Sequence, residues 1–117
     1  MILCDYCGKP ACFVDSAIVY HGISYGMIWY CQDCQAWVGV HKGTSKPLGR
    51  LANAELRTWK RHAHRAFDPV WRGKTAFTRR LAYKWLSQEM GLPEEQTHIG
   101  MFDVEQCKQV VRICRMR

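Results

Sequence analysis

Two C-x2-C motifs, Cys4–Cys7 and Cys31–Cys34, are separated by 23 residues and limit this chain more than any other feature. Each motif folds into a tight knuckle that aims two thiolates at one point, and two such knuckles close a tetrahedral shell suited to zinc. Gly8 follows Cys7 directly, where a knuckle needs the positive φ that glycine adopts at low cost. The expected ligands are therefore Cys4, Cys7, Cys31 and Cys34, holding one structural Zn2+. Iron is the alternative ion for a four-thiolate site. Cys12 and His41 are spare donors that could replace one cysteine. A four-thiolate shell leaves no open position for water or substrate, so the metal is expected to be a scaffold.

The remaining composition fits a reducing compartment. Seven cysteines, an odd number with close paired spacing, argue for metal ligation over a disulfide framework. No apolar run approaches the ~20 residues of a membrane span. The opening "MILCDYCG" has no basic stretch followed by an apolar one, so a cytoplasmic location is the expectation, with no membrane partner.

The expected fold class is α+β, with a four-cysteine zinc ribbon over residues 1–47 packed on a helical extension over 48–117. In the ribbon, "SAIVYHGISYGMIWYC" reads as two strands turning at His21-Gly22, and Gln35 to His41 as a further strand. Along the latter, Ala36, Val38 and Val40 share one face. Gln35, Trp37, Gly39 and His41 share the other, and Gly39 leaves room for close approach. Ser45 to Gly49 is the natural joint.

Three helices should follow. The first runs from Asn53, a plausible N-cap, to Phe67, with Asp68-Pro69 ending it and Leu56, Trp59, Ala63 and Phe67 facing the core. The second runs from Thr75 to Met90 and stops at Gly91, with Phe77, Leu81 and Trp85 inward. The third opens on Asp103, with Gln106 three residues on as a capping box. Val104, Cys107, Val111 and Cys114 lie on its apolar face. Cys107 and Cys114 are about 10.5 Å apart along the axis, beyond disulfide reach, and read as apolar thiols. A second metal site that includes His98 is a lesser alternative.

Charge is unevenly distributed. The formal net charge is +7. Residues 42–84 hold twelve Lys or Arg against Glu55 and Asp68, a balance of +10, which leaves −3 for the rest. Such a segment fits either a solvated helical surface or a polyanion-binding face, DNA or RNA among the polyanions. The candidate contacts are Lys42, Thr44 and Lys46, with Trp37 and His41 beside them, then Arg57, Arg61, Arg65, Arg79 and Arg80. The loop His41-Lys42-Gly43-Thr44 offers amides, hydroxyls and ammonium groups to phosphate but has no P-loop pattern. An enzyme would have to be built from His62, His64, Asp68, His98 and Asp103. No nucleophile or nuclease motif fixes their geometry, so no catalytic residue is assigned and a metal-dependent nuclease ranks third.

The stretches "CDYCG", "YCQDCQAWVGVHKGTSKPLG", "LANAELRTWKRHAHRAFDPVW" and "HIGMFDVEQC" together resemble a zinc-finger-containing domain family found mainly in phages and prophages. The resemblance spans nearly the whole chain and implies a zinc ribbon with a helical extension. Its metal motif falls on Cys4, Cys7, Cys31 and Cys34. Further matches fall on His41, Gly43 and Thr44, on His64, Phe67, Asp68, Pro69 and Trp71, and on His98. Val70 stands where leucine is expected. A phage setting adds an alternative function, a modulator or inhibitor that binds a host protein of the transcription or defence machinery.

Overall fold

The computed structural model describes residues 1–116. The chain forms two compact units, Met1–Ala54 and Glu55–Arg117. The first contains a three-stranded antiparallel sheet in the order β1 (Cys12–Asp15), β2 (Met27–Cys31), β3 (Ala36–Gly39). Three helices follow: α1 (Ala54–Trp71), α2 (Arg79–Met90) and α3 (Val104–Arg115). The architecture is α+β, as the sequence implied. Among the described residues, no helix is long and apolar enough to cross a membrane.

The strand expected over residues 16–20 does not form. The partner of β2 is Cys12–Asp15, in the register Phe13 with Trp29 and Val14 with Ile28. Ser16–Ile18 is a 3-10 turn instead. The Asp15 carboxylate accepts from the Ala17 amide at 2.8 Å and from the Ser24 hydroxyl at 2.9 Å. The Ser16 hydroxyl, buried, accepts from the Tyr25 amide at 2.7 Å. Side-chain bonds to local backbone compete with a strand ladder, and here they prevail.

The strand expected over Gln35 to His41 is shorter, Ala36–Gly39, with Val40 bridged singly to Pro47. Gln35 has φ 51 and belongs to the turn before the strand. The facing is as expected where it can be compared: Ala36 and Val38 are buried in the cluster formed by Cys4, Ala11, Cys31 and Leu51. The close approach that Gly39 allows is made by Leu48, whose Cδ1 would lie 3.4 Å from a Cβ there and whose amide donates to the Gly39 carbonyl at 2.9 Å. The chain after Pro47 stays with the sheet, where Trp37 and Ala52 exchange both backbone hydrogen bonds.

In the second unit, α1 runs one turn beyond the stop expected at Asp68-Pro69, with Pro69 inside it. Proline removes one helical donor, but the ladder resumes with Arg72 N–H donating to the Asp68 carbonyl at 2.8 Å. Burial of Val70 favours the added turn. Leu56, Ala63 and Phe67 are buried as expected, and Trp59 is half-buried.

Helix α2 begins four residues later than expected, because the Thr78 hydroxyl caps it by accepting from the Leu81 amide at 3.3 Å. Phe77 therefore precedes the helix, and the apolar series built on it is displaced. Leu81 is exposed and Trp85 half-buried, while Ala82, Tyr83, Leu86 and Ser87 are buried. Ser87 is accommodated because its hydroxyl donates to the Lys84 carbonyl at 2.7 Å. Gly91 ends the helix in the left-handed region at φ 68.

Helix α3 carries the expected capping box. Asp103 Oδ1 accepts from the Gln106 amide at 2.8 Å, and Gln106 Oε1 accepts from the Asp103 amide at 3.1 Å. Cys107 and Val111 are buried, joined by Val110, which the heptad-like reading left out. Val104 and Cys114 are half-buried.

Asp103→Ala removes an N-cap and half of a capping box. It should lower stability by about 1 kcal/mol without loss of metal, read as a lower urea midpoint with an unchanged slope. An unchanged midpoint would show that α3 is held without its cap.

Candidate functional site

The first knuckle is the tip of a small hairpin. The Cys4 amide donates to the Lys9 carbonyl at 2.8 Å, the Gly8 amide to the Cys4 carbonyl at 2.9 Å, and Leu3 bridges Pro10. The second is the turn between β2 and β3, opening at Cys31 and closing where Cys31 pairs with Ala36. The residue after each second cysteine has a positive φ, Gly8 at 75 and Gln35 at 51. The expectation at Gly8 therefore holds. A non-glycine residue does the same in the second knuckle, where Gln35 Nε2 donates to the Gln32 carbonyl at 2.8 Å.

These turns gather Cys4, Cys7, Cys31 and Cys34, whose sulfur atoms lie within 4.8 Å of one another. Cys7 and Cys31 Sγ are 3.8 Å apart. A tetrahedron with Zn–S distances of about 2.3 Å has S···S edges of about 3.8 Å. The set therefore fits one zinc ion held by four thiolates.

The surroundings act unevenly on the four sulfurs. The Tyr6 amide donates to Cys4 Sγ at 3.4 Å. The hydrogen bond from the Lys9 amide holds the Cys7 thiol below its usual range. At Cys31 the Cys34 amide pulls the thiol down, but burial and the neighbouring Cys4 and Cys7 outweigh it, and the net shift is upward. Burial, followed by the three other thiols, pushes Cys34 up to about 12. Four thiols this close cannot all ionise unless a cation shares them, which is the role zinc fills. Across the site, Lys9 Nζ pairs with Asp33 at 3.3 Å and links the two knuckles.

The first knuckle also clasps the chain that leads toward α1, a role the sequence did not disclose. Asp5 Oδ2 accepts from the Leu51 amide at 2.7 Å, and the Tyr6 hydroxyl accepts from the Asn53 amide at 3.1 Å. The Arg50 guanidinium lies 5.4 Å from the Tyr6 ring centre. Both non-ligand residues of "CDYC" are therefore committed to residues 50–53.

The spare donors lie elsewhere. Cys12 is exposed on β1 opposite Tyr30, and His41 is exposed in its loop, both outside the cluster. No second group of three or more metal-binding side chains forms among the described residues, so the alternative site with His98 is not assembled. His64 Nδ1 lies 3.5 Å from Asp68 Oδ1, and Arg72 reaches the other carboxylate oxygen at 3.3 Å. His98 instead packs its ring on Tyr83, with centroids 5.0 Å apart.

Trp37, on the face of β3 away from the metal cluster, stands edge-on to Tyr20 at 6.2 Å. The loop after β3 is a self-bonded turn. The His41 amide donates to the Lys46 carbonyl at 2.9 Å, and the Thr44 amide and hydroxyl both donate to the His41 carbonyl. The Thr44 hydroxyl also accepts from the Lys46 amide at 3.1 Å. Trp29 Nε1 donates to the Ser45 carbonyl at 2.7 Å and pins the turn to β2. Thr44 is thus spent on the turn itself, whereas Lys42 and Lys46 are exposed.

In the second unit, Arg57, Arg61 and Arg65 recur every four residues, a drift of only about 40° per step around α1. The buried Leu56, Ala63, Phe67 and Val70 lie roughly opposite. Arg61 and Arg65 are exposed and Arg57 is half-buried. Arg79 and Arg80 form the exposed first turn of α2.

A family model for a zinc-finger-containing domain matches residues 1–117. No curated protein and no solved structure matches the chain.

Cys4→Ser should abolish stoichiometric zinc, whereas Cys12→Ser should keep one zinc per chain by elemental analysis. Cys31 and Cys34 are held above the ordinary thiol range, so both are protonated at pH 7 before metal arrives. Zinc uptake should therefore release about two or more protons, and zinc should be lost on acidification. Calorimetric titration in two buffers of different ionisation enthalpy measures the release; no buffer dependence would contradict it.

Proposed function

The chain belongs to the zinc-finger-containing domain family, and we propose that it binds nucleic acid through its basic residues without catalysing a reaction. The observation that carries this reading is the arginine stripe of α1 opposite the helix's buried side, within a segment of net charge +10. Phosphates two to three turns along such a stripe would meet Arg57, Arg61 and Arg65. Lys42 and Lys46 add two exposed ammonium groups in the ribbon's turn, with Trp37, His41 and Thr44 holding or flanking it. Arg79 and Arg80 supply a third group. Zinc is the scaffold that shapes the turn between β2 and β3 and the self-bonded loop beyond it.

Reduced thiols are needed to hold the metal, which favours a reducing compartment such as the cytoplasm. DNA and RNA offer the same phosphate chemistry to these residues, and phosphate contacts position a protein without reading sequence.

A second reading draws on a different surface. Ile18, Ile23 and Tyr25, between β1 and β2, are 61%, 58% and 73% exposed, in a stretch without lysine or arginine. Exposed apolar groups without cations suit a protein partner better than a phosphate backbone. In a phage-encoded protein that partner would be a host protein. Capture from host lysate with and without nuclease treatment separates the two readings.

Arg61→Ala/Arg65→Ala should leave the fold and zinc content intact and weaken binding to DNA or RNA. The slope of log affinity against log salt should flatten by roughly 0.7–0.9 for each lost phosphate contact. Lys42→Ala/Lys46→Ala should flatten it likewise. No binding of wild-type protein to any DNA or RNA at low salt overturns this reading and leaves the protein-partner reading in its place.

A further inference from the structure

A cleft of about 660 Å³ in the second unit lies between α2 and the 3-10 turn Glu94–Gln96. One side presents Arg79, Arg80 and Lys84, and another presents Glu94 and Glu95. All five are exposed. Among the described residues no ion pair joins these five, so their charged ends are available to a ligand. The cleft therefore offers cationic groups from α2 and carboxylates from the 3-10 turn.

The cleft also has an aromatic part. The Tyr83 ring packs on Phe67 at 4.6 Å and on His98 at 5.0 Å. Tyr83 is buried and the Arg79 guanidinium lies 5.6 Å from its ring centre, so its ring is a fixed platform. His98, whose ring is tilted 46° against that of Tyr83, is exposed.

The volume falls in the range of small-molecule sites, about 300–1,000 Å³. Cations suit a phosphate. A flat exposed ring suits a base, which stacks through its π face. Carboxylates accept hydrogen bonds from an exocyclic amine, as acidic side chains do from cytosine N4. They repel the carbonyl oxygens that flank the single ring N–H of thymine or uracil.

We infer that this cleft receives one unpaired nucleotide of a bound single strand, with its base amine on Glu94 and Glu95 and its phosphate on Arg79, Arg80 and Lys84. The inference rests on the nucleic-acid reading above and narrows it. It adds a single-stranded substrate and a preference for amine-bearing bases, which the arginine stripe alone cannot provide.

The sign of one mutational effect tests it. If the acidic residues merely sit near phosphates, removing them should tighten every nucleic acid alike. If they hold a base amine, removing them should weaken cytosine-containing strands selectively. Fluorescence anisotropy would compare labelled dC15, dT15 and a 15-base-pair duplex on zinc-loaded wild-type, Glu94→Ala/Glu95→Ala and His98→Ala proteins. Wild-type protein should favour dC15 over dT15 by roughly fivefold, and the double variant should lose that preference by weakening on dC15 alone. His98→Ala should weaken both single strands about fivefold or more and leave the duplex unchanged. If the double variant does not fold, by far-UV circular dichroism, the His98 arm decides alone. Equal tightening on all three probes, or single strands indifferent to His98→Ala, overturns the cleft and leaves the wider reading standing. Failure of wild-type protein to bind any probe at low salt overturns both.

Discussion

The ribbon depends on the convergence of four thiolates on one metal. Its strands are only four or five residues long. Its buried cluster includes Cys4 and Cys31 themselves, beside small residues such as Ala11 and Ala36. A core so small cannot by itself offset the entropy of ordering about fifty residues. In zinc-finger peptides the metal contributes roughly 10–16 kcal/mol of binding free energy that is also folding free energy. Here it sets both reversals of the chain, because each knuckle is also a turn. The effect extends past the ligands, since Asp5 and Tyr6 of the first knuckle bond to the amides of Leu51 and Asn53.

Four sulfur ligands fill a tetrahedral zinc shell, so the metal has no position for substrate. What the ribbon can present lies at its edges. One edge is the turn from His41 to Lys46, whose hydrogen bonds are mostly internal and whose exposed groups are lysines. Another is the apolar stretch carrying Ile18, Ile23 and Tyr25. These surfaces differ in chemistry, one cationic and polar, the other uncharged and greasy. Under the two proposed readings the first would meet a polyanion and the second a protein surface, and salt dependence distinguishes the two kinds of contact.

The helical unit combines its charges differently along its length. On α1 Arg61 and Arg65 are exposed away from the core with Arg57 half-buried beside them, and Asp68 is tied between His64 and Arg72. That carboxylate is engaged by two partners, which suits an ordering role for the last turn of α1. Cations of α2 and carboxylates of the 3-10 turn Glu94–Gln96 border a common cleft with no ion pair between them. Arginines in the first turn are unfavourable beside the positive end of a helix dipole, so Arg79 and Arg80 are placed at some electrostatic cost. An anionic ligand would relieve that cost.

The sequence by itself determined the features whose physics is local. The C-x2-C spacing gave the ligand set, because two residues between cysteines fix the geometry of a knuckle. Gly8 and Gly91 marked positive φ, Asp103 and Gln106 marked a capping box, and the run of cations marked the basic segment. Tertiary structure decided what depends on distant partners. Cys12–Asp15, not residues 16–20, pairs with β2, because Ser16 and Asp15 find bonds with Tyr25, Ala17 and Ser24. Helix α1 continues through Pro69, with Val70 buried in the added turn. Helix α2 buries Tyr83 and Leu86 in place of Leu81, because Phe67 and His98 stand where the Tyr83 ring can pack. Periodicity offers more than one apolar face on such a helix, and only the surfaces it meets select between them. The cleft bordered by Arg79 and Glu94 was illegible for the same reason: its walls are fifteen residues apart in the chain and become neighbours only when the helical unit folds.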